Sequence, residues 1–268
     1  VEDDAAAGDG VEHASDFRTC LNCGATLEYA ATYYGHIGRW RCASCGNARP
    51  APDVRLTRIA PDGEGSALTI EAPDGGTIEI SLPLSGLYNA YNALAATAGA
   101  LALGLPRDAI VRALDGFSAA FGRQERFTVD GRDVQVLLGK NPTGLNQVLR
   151  TIAARPGEKR LLFFLNDGIA DGRDISWIWD ADYELARPDA AFALAAGTRA
   201  EDLALRLKYA GFGAEVPAIR DTRAAVQQAL ADTPPGATLH VIPTYTAMLE
   251  VRELLAKLSG TSHYWEDA

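Results

Sequence analysis

The chain has 268 residues, of which 47% are hydrophobic and 22% are charged, a composition typical of a globular protein with one large domain or two ordinary ones. Its formal net charge of −10 argues against a nucleic-acid-binding surface, which is normally basic. No run of about 18 apolar residues occurs, so no transmembrane helix is predicted. The chain opens with acidic and small residues instead of a signal peptide, and its only methionine is Met248, so we expect a processed chain or a fragment of a longer protein.

Two Cys-x-x-Cys motifs near the amino terminus contain all four cysteines. Cys20 and Cys23 are separated from Cys42 and Cys45 by 18 residues, which is the spacing of a zinc ribbon. Two residues between thiols let both sulfur atoms of a tight turn reach one tetrahedral metal ion. We therefore predict a structural zinc site within residues 17–50, and two disulfides are the alternative.

Strand and helix patterns follow the cysteine motifs. Short strands are expected at 27–34 and 38–41, inside the ribbon. Alternating apolar residues within 55–84, on either side of an Asp74-Gly-Gly turn, predict a β-hairpin. An Ala-rich helix is expected over 86–104 and a second helix over 107–117, after Pro106.

The pattern changes at about 119–126, where we predict a boundary between domains of residues 1–119 and 120–268. Beyond it, strand-like and helix-like segments alternate, which favours a Rossmann-like α/β domain with a parallel sheet and helices on both faces. Strands are expected at 134–138, 161–165, 191–195, 214–217 and 238–242, and helices at 144–154, 199–210, 221–231 and 246–258.

The segment 161–180 has the most unusual composition of the chain. Five apolar residues predict a buried strand, which leads into a loop rich in Asp and Gly and then into Trp177, Trp179 and Asp180. Carboxyl ends of strands in open α/β sheets are where ligands usually bind, and rigid aromatic residues beside an acid also suit a protein interface. The alternative is an ordinary Gly/Asp-rich turn with two tryptophans in the core.

Two further segments contain candidate anion-binding groups. Lys140 lies between a predicted strand and a predicted helix, and Thr143 could cap that helix, whose free N–H groups attract phosphate or carboxylate. Asn-Pro followed by Gly is also an ordinary turn. Arg123 and Arg126 lie at the predicted boundary, where they could clamp a phosphate or pair with acids.

The predicted Ala-rich helix contains two asparagines, Asn89 and Asn92, among apolar residues. They either face a ligand or fix a neighbouring loop. A Gly-x-x-x-x-Gly-Lys-Ser/Thr phosphate-binding loop does not occur in the sequence.

Together with the zinc ribbon, these motifs resemble the MurT family, the Mur-ligase-like subunits of the MurT–GatD lipid II isoglutaminyl synthases. The resemblance runs from about Cys20 to the end of the chain, and its specific part is Asn-Asp-Gly-Ile-Ala-Asp-Gly-Arg-Asp-Ile-Ser-Trp-Ile-Trp-Asp at 166–180. Tyr-Asn-Ala-Tyr-Asn-Ala-Leu-Ala-Ala at 88–96 and Gly-Arg-Gln-Glu at 122–125 also occur in Mur ligases generally. The other matching elements are Lys-Asn-Pro-Thr-Gly-Leu-Asn at 140–146 and Pro-Thr-Tyr-Thr-Ala-Met-Leu at 243–249.

The resemblance implies that residues 1–119 are the remainder of a Mur-ligase central domain and that 120–268 are the Mur-ligase-type C-terminal domain. It implies a bacterial, cytoplasmic enzyme at the inner face of the membrane, which uses ATP, Mg²⁺ and glutamine to amidate the α-carboxylate of D-glutamate in lipid II. GatD, a class I glutaminase, would form a heterodimer with it and supply ammonia, and MurT would activate the carboxylate as an acyl phosphate.

Individual site residues follow from the same resemblance. Asp180 matches the aspartate that completes a Cys-His-Asp triad in GatD, and Asn89 matches the Mur-ligase asparagine near adenine. Arg123 matches the hinge arginine near ribose and phosphate. Lys140 and Asn141 occupy a nucleotide-facing loop in which Lys140 replaces the histidine of related ligases.

Two other functions are compatible with parts of the sequence. A stand-alone Mur or folylpolyglutamate-type amide ligase would share the helix and hinge motifs but would not need Asp180. A zinc-ribbon nucleic-acid-binding module would share the cysteines, although the negative charge disfavours it.

The resemblance also leads to a prediction for the isolated chain. A full MurT has its P-loop and magnesium-binding acids upstream of the zinc ribbon, so we expect the purified chain neither to hydrolyse ATP nor to form amide bonds. Phosphate release measured with Mg²⁺-ATP should equal the buffer blank, and robust ATPase activity of the pure chain would show that this expectation is wrong.

Overall fold

The computed structural model describes residues 1–8, 15, 17–35, 37–62, 65–117 and 123–260. They form two compact units, Val1–Ser118 and Ala119–Ala268, which are described separately. Within the described residues, none of the helices combines the length and the apolar composition needed to cross a membrane.

The amino-terminal unit contains two small antiparallel sheets. Strands β1 (Glu28–Tyr34) and β2 (Ile37–Arg41) form a two-stranded ribbon. Strands β3 (Arg55–Asp62), β4 (Gly65–Glu71) and β5 (Thr77–Leu82) form a second sheet with β4 in the centre. The predicted hairpin is confirmed as β4–β5, and β3 adds a third strand to it.

Two helices pack on the three-stranded sheet. Helix α1 spans Leu87–Ala102 and helix α2 spans Arg107–Asp115, close to the predicted ranges. The strands alternate between buried and more exposed residues, and Leu56, Leu68, Ile70 and Ile80 face a core that includes Ala90 and Ala93 of α1. Small alanine side chains let α1 approach the sheet closely, which explains the Ala-rich sequence of this helix.

The carboxyl-terminal unit is built on a six-stranded sheet in the order β10-β9-β8-β11-β7-β6. The five strands from β7 to β11 are parallel, as predicted, and β6 pairs antiparallel with β7. The strands are β6 (Arg123–Val129), β7 (Arg132–Leu137), β8 (Lys159–Phe164), β9 (Ala190–Ala196), β10 (Ala218–Ile219) and β11 (Thr238–Ile242).

Helices cover both faces of this sheet, which confirms the predicted layering. Helices α5 (Thr222–Ala231) and α6 (Tyr245–Ser259) pack on one face, where Leu162, Phe164 and Val241 point. Helices α3 (Pro142–Ala153) and α4 (Ala200–Tyr209) pack on the other face, against Leu161, Phe163 and Leu165. Because alternate side chains of β8 point to opposite faces, both layers need its continuous apolar sequence.

The structure differs from the strand predictions at two places, one strand that was not predicted and one that was predicted wrongly. Strand β6 was not predicted, although Asp130 and Gly131 join it to β7 with φ values of 48° and 75°. Positive φ at both central residues is the signature of the tight hairpin turn that Asp-Gly favours. The strand expected at 214–217 is instead the two-residue β10 at Ala218–Ile219, which pairs only at the sheet edge.

A buried histidine lies in the centre of the sheet. His240 of β11 is 3% exposed and lies in register between Gln135 and Leu161. Burial, together with the smaller effect of the cations Arg155, Lys159 and Arg126, lowers its pKa to about 4. Its Nδ1 atom is buried without a hydrogen-bond partner in the described part of the chain. The imidazole is therefore neutral in the folded protein at neutral pH.

This histidine predicts a loss of stability in mild acid. Its pKa is depressed in the folded state, so the unfolded chain takes up a proton as pH falls below 6.5, whereas the folded chain excludes it until about pH 4. Roughly 2 kcal/mol of the free energy of unfolding should therefore be lost between pH 8 and pH 5. Urea unfolding of wild type and His240→Leu at both pH values measures this contribution.

The variant should lose correspondingly less stability than wild type over that interval. The control is Gln135→Leu, which alters a buried neighbour that does not titrate and should keep the wild-type difference between the two pH values. Equal pH dependence in wild type and His240→Leu would contradict the assignment.

Candidate functional site

The four cysteines converge at one point of the amino-terminal unit. Their ligand atoms all lie within 4.8 Å of one another. The two motifs fold in the same way, because the amides of Gly24 and Gly46 donate to the carbonyl oxygens of Cys20 and Cys42, at 2.8 and 3.0 Å. Both glycines have φ near +75°, a conformation that a side chain would disfavour.

The distances between sulfur atoms favour a metal ion over disulfides. The Sγ atoms of Cys20 and Cys45 are 3.5 Å apart, and those of Cys23 and Cys42 are also 3.5 Å apart. A disulfide needs about 2.0 Å. Four thiolates at about 2.3 Å from a tetrahedral zinc ion would be about 3.8 Å apart. The structure thus has free cysteines in a geometry close to that of a four-cysteine zinc site.

Hydrogen bonds and aromatic packing around the cluster affect its thiols. Burial raises the pKa of Cys20, but hydrogen bonds from the amides of Asn22 and Cys23 and from the side chains of Cys45 and Asn47 outweigh that effect and lower the pKa to about 6. The contact between the two thiols raises the pKa of Cys45, so Cys20 is the member of the pair that is favoured as a thiolate, the form that binds metals. Phe17 and Trp40 pack edge to face beside the cluster, with ring centroids 5.2 Å apart.

At the carboxyl edge of the parallel sheet, side chains of three loops bond to each other. Asn166, directly after β8, accepts the amide of Thr198 at 2.9 Å and donates to the Oγ1 atom of Thr246 at 2.9 Å. Its own amide donates to the Oγ1 atom of Thr244 at 3.1 Å. Asn166 is 8% exposed, so these bonds replace water for its buried amide groups and fix the loops relative to one another.

Two aspartates of the same loop complete this arrangement. Asp171 accepts the amide of Thr246 at 2.8 Å and thereby caps α6 from a distant part of the sequence. Asp167 accepts from Thr198 at 2.9 Å and from Arg199 at 3.2 Å, and these contacts lower the pKa of its carboxyl group. The polar loop predicted at the end of β8 is therefore an ordered structure.

The tryptophan segment, residues 175–186, follows this loop. It contains two 3₁₀ turns, Ser176–Trp179 and Tyr183–Ala186. Ile178 is buried, Trp177 is partly buried against the core, and Trp179 is 50% exposed. Trp177 thus packs on the core, as the interpretation of an ordinary turn with core tryptophans expects. Trp179 lies largely at the surface, as the interpretation of a protein interface expects.

Asp180 lies at the end of the first 3₁₀ turn. Its side chain is exposed, and the carboxylate has no hydrogen-bond or ion-pair partner within the described part of the chain. Its amide donates to the carbonyl oxygen of Trp177 at 3.0 Å, which fixes the backbone beneath it. A solvated carboxylate on an ordered turn is available to a partner.

Helix α3 anchors the second 3₁₀ turn through a side chain that was not predicted from the sequence. Asn146 is fully buried; it accepts the amide of Asp182 at 2.7 Å and donates to the carboxylate of Asp182 at 2.9 Å. This pair joins the 140–146 motif to the tryptophan segment. Two features of the sequence could have indicated this contact: an asparagine inside a predicted helix, and an aspartate two residues after Asp180.

The proposed nucleotide-facing residues of the C-terminal unit lie at the start of α3. Lys140 is exposed, and Asn141 caps the helix by accepting the amide of Gly144 at 2.7 Å. The expectation that Thr143 caps this helix is therefore wrong, because the helix begins at Pro142, whose fixed φ suits the first turn. Arg123 is the first residue of β6, and its side chain lies outside the described part of the chain.

Asn89 belongs to the amino-terminal unit. It is 4% exposed on α1, and its side-chain amide donates to the carbonyl oxygen of Ser85 at 2.8 Å. This contact corresponds to the loop-fixing alternative for this residue. The structure therefore brings together the four cysteines in one unit, and Asn146 and the tryptophan segment in the other.

Comparisons with known proteins match both units. A protein-family model described as "MurT ligase C-terminal" matches residues 138–248. The chain is 38% identical over 241 residues to the "Lipid II isoglutaminyl synthase (glutamine-hydrolyzing) subunit MurT" of Streptococcus pneumoniae, covering 88% of this chain and 52% of that protein. It is 35% identical over 246 residues to the subunit of the same name from Staphylococcus aureus, covering 90% and 53%. The chain spans about half the length of these curated relatives.

A solved structure has a similar fold over almost the whole chain. The pseudomurein peptide ligase type C from Methanothermus fervidus superposes with a TM-score of 0.68 at 23% identity, covering 92% of this chain and 50% of that one. At this identity the likeness concerns the fold, and it confirms the predicted Mur-ligase-type α/β architecture.

The geometry of the cysteine cluster predicts the effect of removing a metal. We expect about one zinc ion per chain by elemental analysis. A strong chelator should abolish hydrogen-exchange protection in 17–50, because the apolar cluster around the cysteines is small and a structural zinc ion would supply most of the stability there. Peptides from the C-terminal unit should keep their protection. The variant Cys42→Ser should reproduce the chelated state, and added Zn²⁺ should restore the wild type only.

Unchanged protection of 17–50 after chelation would contradict a structural zinc site. Loss of protection in the C-terminal sheet after chelation would contradict the expectation that the C-terminal unit is stable without the metal.

Proposed function

The chain belongs to the MurT family, and on this basis we propose that it is part of the ligase subunit of a glutamine-dependent amidotransferase of peptidoglycan biosynthesis. The names of its relatives support this assignment. The substrate would be lipid II, and the reaction the amidation of the α-carboxylate of D-glutamate in its stem peptide. Because lipid II is anchored in the membrane, the protein would act at the inner face of the bacterial membrane.

The chemistry requires an activated carboxylate. A carboxylate is a poor electrophile, so it first attacks the γ-phosphorus of ATP and releases ADP. Ammonia then attacks the carbonyl carbon of the acyl phosphate, and inorganic phosphate leaves. Phosphoryl transfer depends on positioned cations and donors. Asn89, Arg123, Lys140 and Asn141 are the proposed nucleotide contacts of this chain, and the main Mg²⁺ ligands would lie in the part of the longer relatives that this chain does not match.

The observation that carries the proposal is the position of Asp180. An exposed carboxylate lies beside the half-exposed Trp179 on a segment fixed by buried hydrogen bonds, within the residues that match the MurT C-terminal model. Charged and aromatic groups held rigidly at a surface are suited to completing a site on another protein.

The partner would be a class I glutaminase of the GatD type. Such an enzyme hydrolyses glutamine to glutamate and ammonia with a cysteine nucleophile and a histidine base, and Asp180 would orient the histidine and stabilise its cationic form. The cysteine must belong to the partner, because all four thiols of this chain lie in the ribbon cluster.

The proposal is tested by glutamine hydrolysis with a GatD-type partner alone, with this chain, and with Asp180→Asn. We expect the chain to stimulate hydrolysis and the variant to bind with unchanged affinity but to lower kcat by roughly 100-fold, the scale of a misoriented base. The control is Asp232→Asn, an exposed aspartate that bonds Gln228 on α5 and should behave as wild type.

An unaffected partner would contradict the proposal and favour a stand-alone amide ligase. If Asp180→Asn stimulated as well as wild type, the chain would bind the glutaminase without contributing to its catalytic group.

A further inference from the structure

A buried arginine lies beneath the tryptophan segment. Arg206 of α4 is 5% exposed, and its guanidinium donates four hydrogen bonds, all to residues of that segment. Nε donates to the carbonyl oxygen of Ile178 at 3.1 Å, and Nη2 donates to that of Ala181 at 2.7 Å. Nη1 and Nη2 also reach the two carboxylate oxygens of Glu184, at 2.9 and 3.0 Å.

The two carbonyl contacts lie on either side of Asp180 in the sequence. Ile178 precedes it by two residues and Ala181 follows it directly, so one rigid planar group fixes the backbone both before and after the exposed carboxylate. Arginine can do this because its donors are arranged in a fixed fork.

The guanidinium also contacts the aromatic rings of the segment. Its central carbon lies 5.6 Å from the ring centroid of Trp179 and 5.1 Å from that of Tyr183. Trp179 in turn packs edge to face on Tyr209, with centroids 5.8 Å apart. The half-exposed tryptophan beside Asp180 is thus held by α4 from below.

Burial of a charge is costly unless the charge is paired and its donors are satisfied. Here Glu184 supplies the opposite charge, and the carbonyl oxygens of Ile178 and Ala181 accept the other two hydrogen bonds of the guanidinium. A conformation of residues 178–184 that moved Asp180 would leave buried donors without acceptors. The position of Asp180 is therefore coupled to a residue that does not itself reach the surface.

We propose that Arg206 is the positioning residue for Asp180: it holds the carboxylate in the orientation that the partner's histidine needs. This inference rests on the proposed function of Asp180 in a shared triad. It makes two specific claims, that Arg206 acts on glutamine hydrolysis only through Asp180, and that a cation without the planar fork cannot replace it.

The test uses the complex of this chain with the GatD-type glutaminase at saturating chain concentration. The variants are Arg206→Lys, Asp180→Asn and the double variant, and the control is Arg220→Lys, whose exposed guanidinium pairs with Glu201 on the same helix as Arg206. We expect Arg206→Lys to lower kcat for glutamine about tenfold, with KM within about twofold of wild type. Arg220→Lys should match wild type.

The double variant separates positioning from a general structural role. If Arg206 acts through Asp180, the double variant should be no slower than Asp180→Asn alone, because the group that it positions is already removed. Hydrogen exchange gives a second readout that needs no partner. The amides of residues 178–184 should exchange faster in Arg206→Lys, while the sheet peptides stay protected.

Each possible result has a distinct meaning. An unaffected partner would contradict the proposed function, and full stimulation by Asp180→Asn would remove the proposed role of Asp180 and this inference with it. Loss of activity in Asp180→Asn but not in Arg206→Lys would overturn the inference alone. Additive losses in the double variant would show that Arg206 acts independently of Asp180, which also overturns it.

A second variant covers the case in which Arg206→Lys does not fold. Glu184→Gln removes the charge that orients the guanidinium but keeps Arg206 and both carbonyl contacts, and Glu184 is half exposed, so the fold should tolerate the change. We expect Glu184→Gln to lower kcat severalfold when Asp180 is present. Combined with Asp180→Asn, it should cause no further loss. An unchanged kcat in Glu184→Gln would count against the proposal.

Discussion

Burial of both faces of strands β8 and β11 constrains the carboxyl edge of the parallel sheet. Because helices cover each face, polar groups that follow these strands cannot all reach water and must bond within the protein. Asn166 joins the loops after β8, β9 and β11 through three hydrogen bonds. An unsatisfied buried group would cost about 1–3 kcal/mol, so these loops have one favoured arrangement. The tryptophan segment begins from this fixed edge.

The two units obtain their stability in different ways. The C-terminal unit has two large apolar cores on the faces of its sheet, whereas the apolar cluster around the cysteines contains only Cys20, Leu27 and Cys42 as buried residues among those that the structure describes. Ala31 and Tyr33 of β1 are also buried, but they pack in the core of the three-stranded sheet. Metal–ligand bonds can replace an apolar core in such a small element. The same division separates the proposed roles, because the cysteines would stabilise a fold through a metal ion, whereas the exposed Asp180 and half-exposed Trp179 would serve a partner.

Residue patterns in the sequence predicted the cysteine cluster, the β4–β5 hairpin and the layering of the parallel sheet, because each has a local signature. Cys-x-x-Cys spacing, a Gly turn and alternating strands and helices are readable without tertiary information. Contacts between distant segments were not predictable in this way. Asp171 caps α6 from 75 residues away, and Arg206 bonds carbonyl groups 25 and 28 residues earlier. The Asp-Gly turn before β7 is a local signal from which β6 could have been predicted.

The central claim is that the tryptophan segment holds Asp180 ready to complete the catalytic group of a glutaminase. A crystal structure of the chain with a GatD-type partner tests this most directly. The account predicts a carboxylate oxygen of Asp180 within about 2.6–3.2 Å of a nitrogen of the partner's catalytic histidine, with residues 178–184 arranged around Arg206 as they are in the chain alone. A complex in which Asp180 stays in solvent, or in which the segment leaves Arg206, would contradict it.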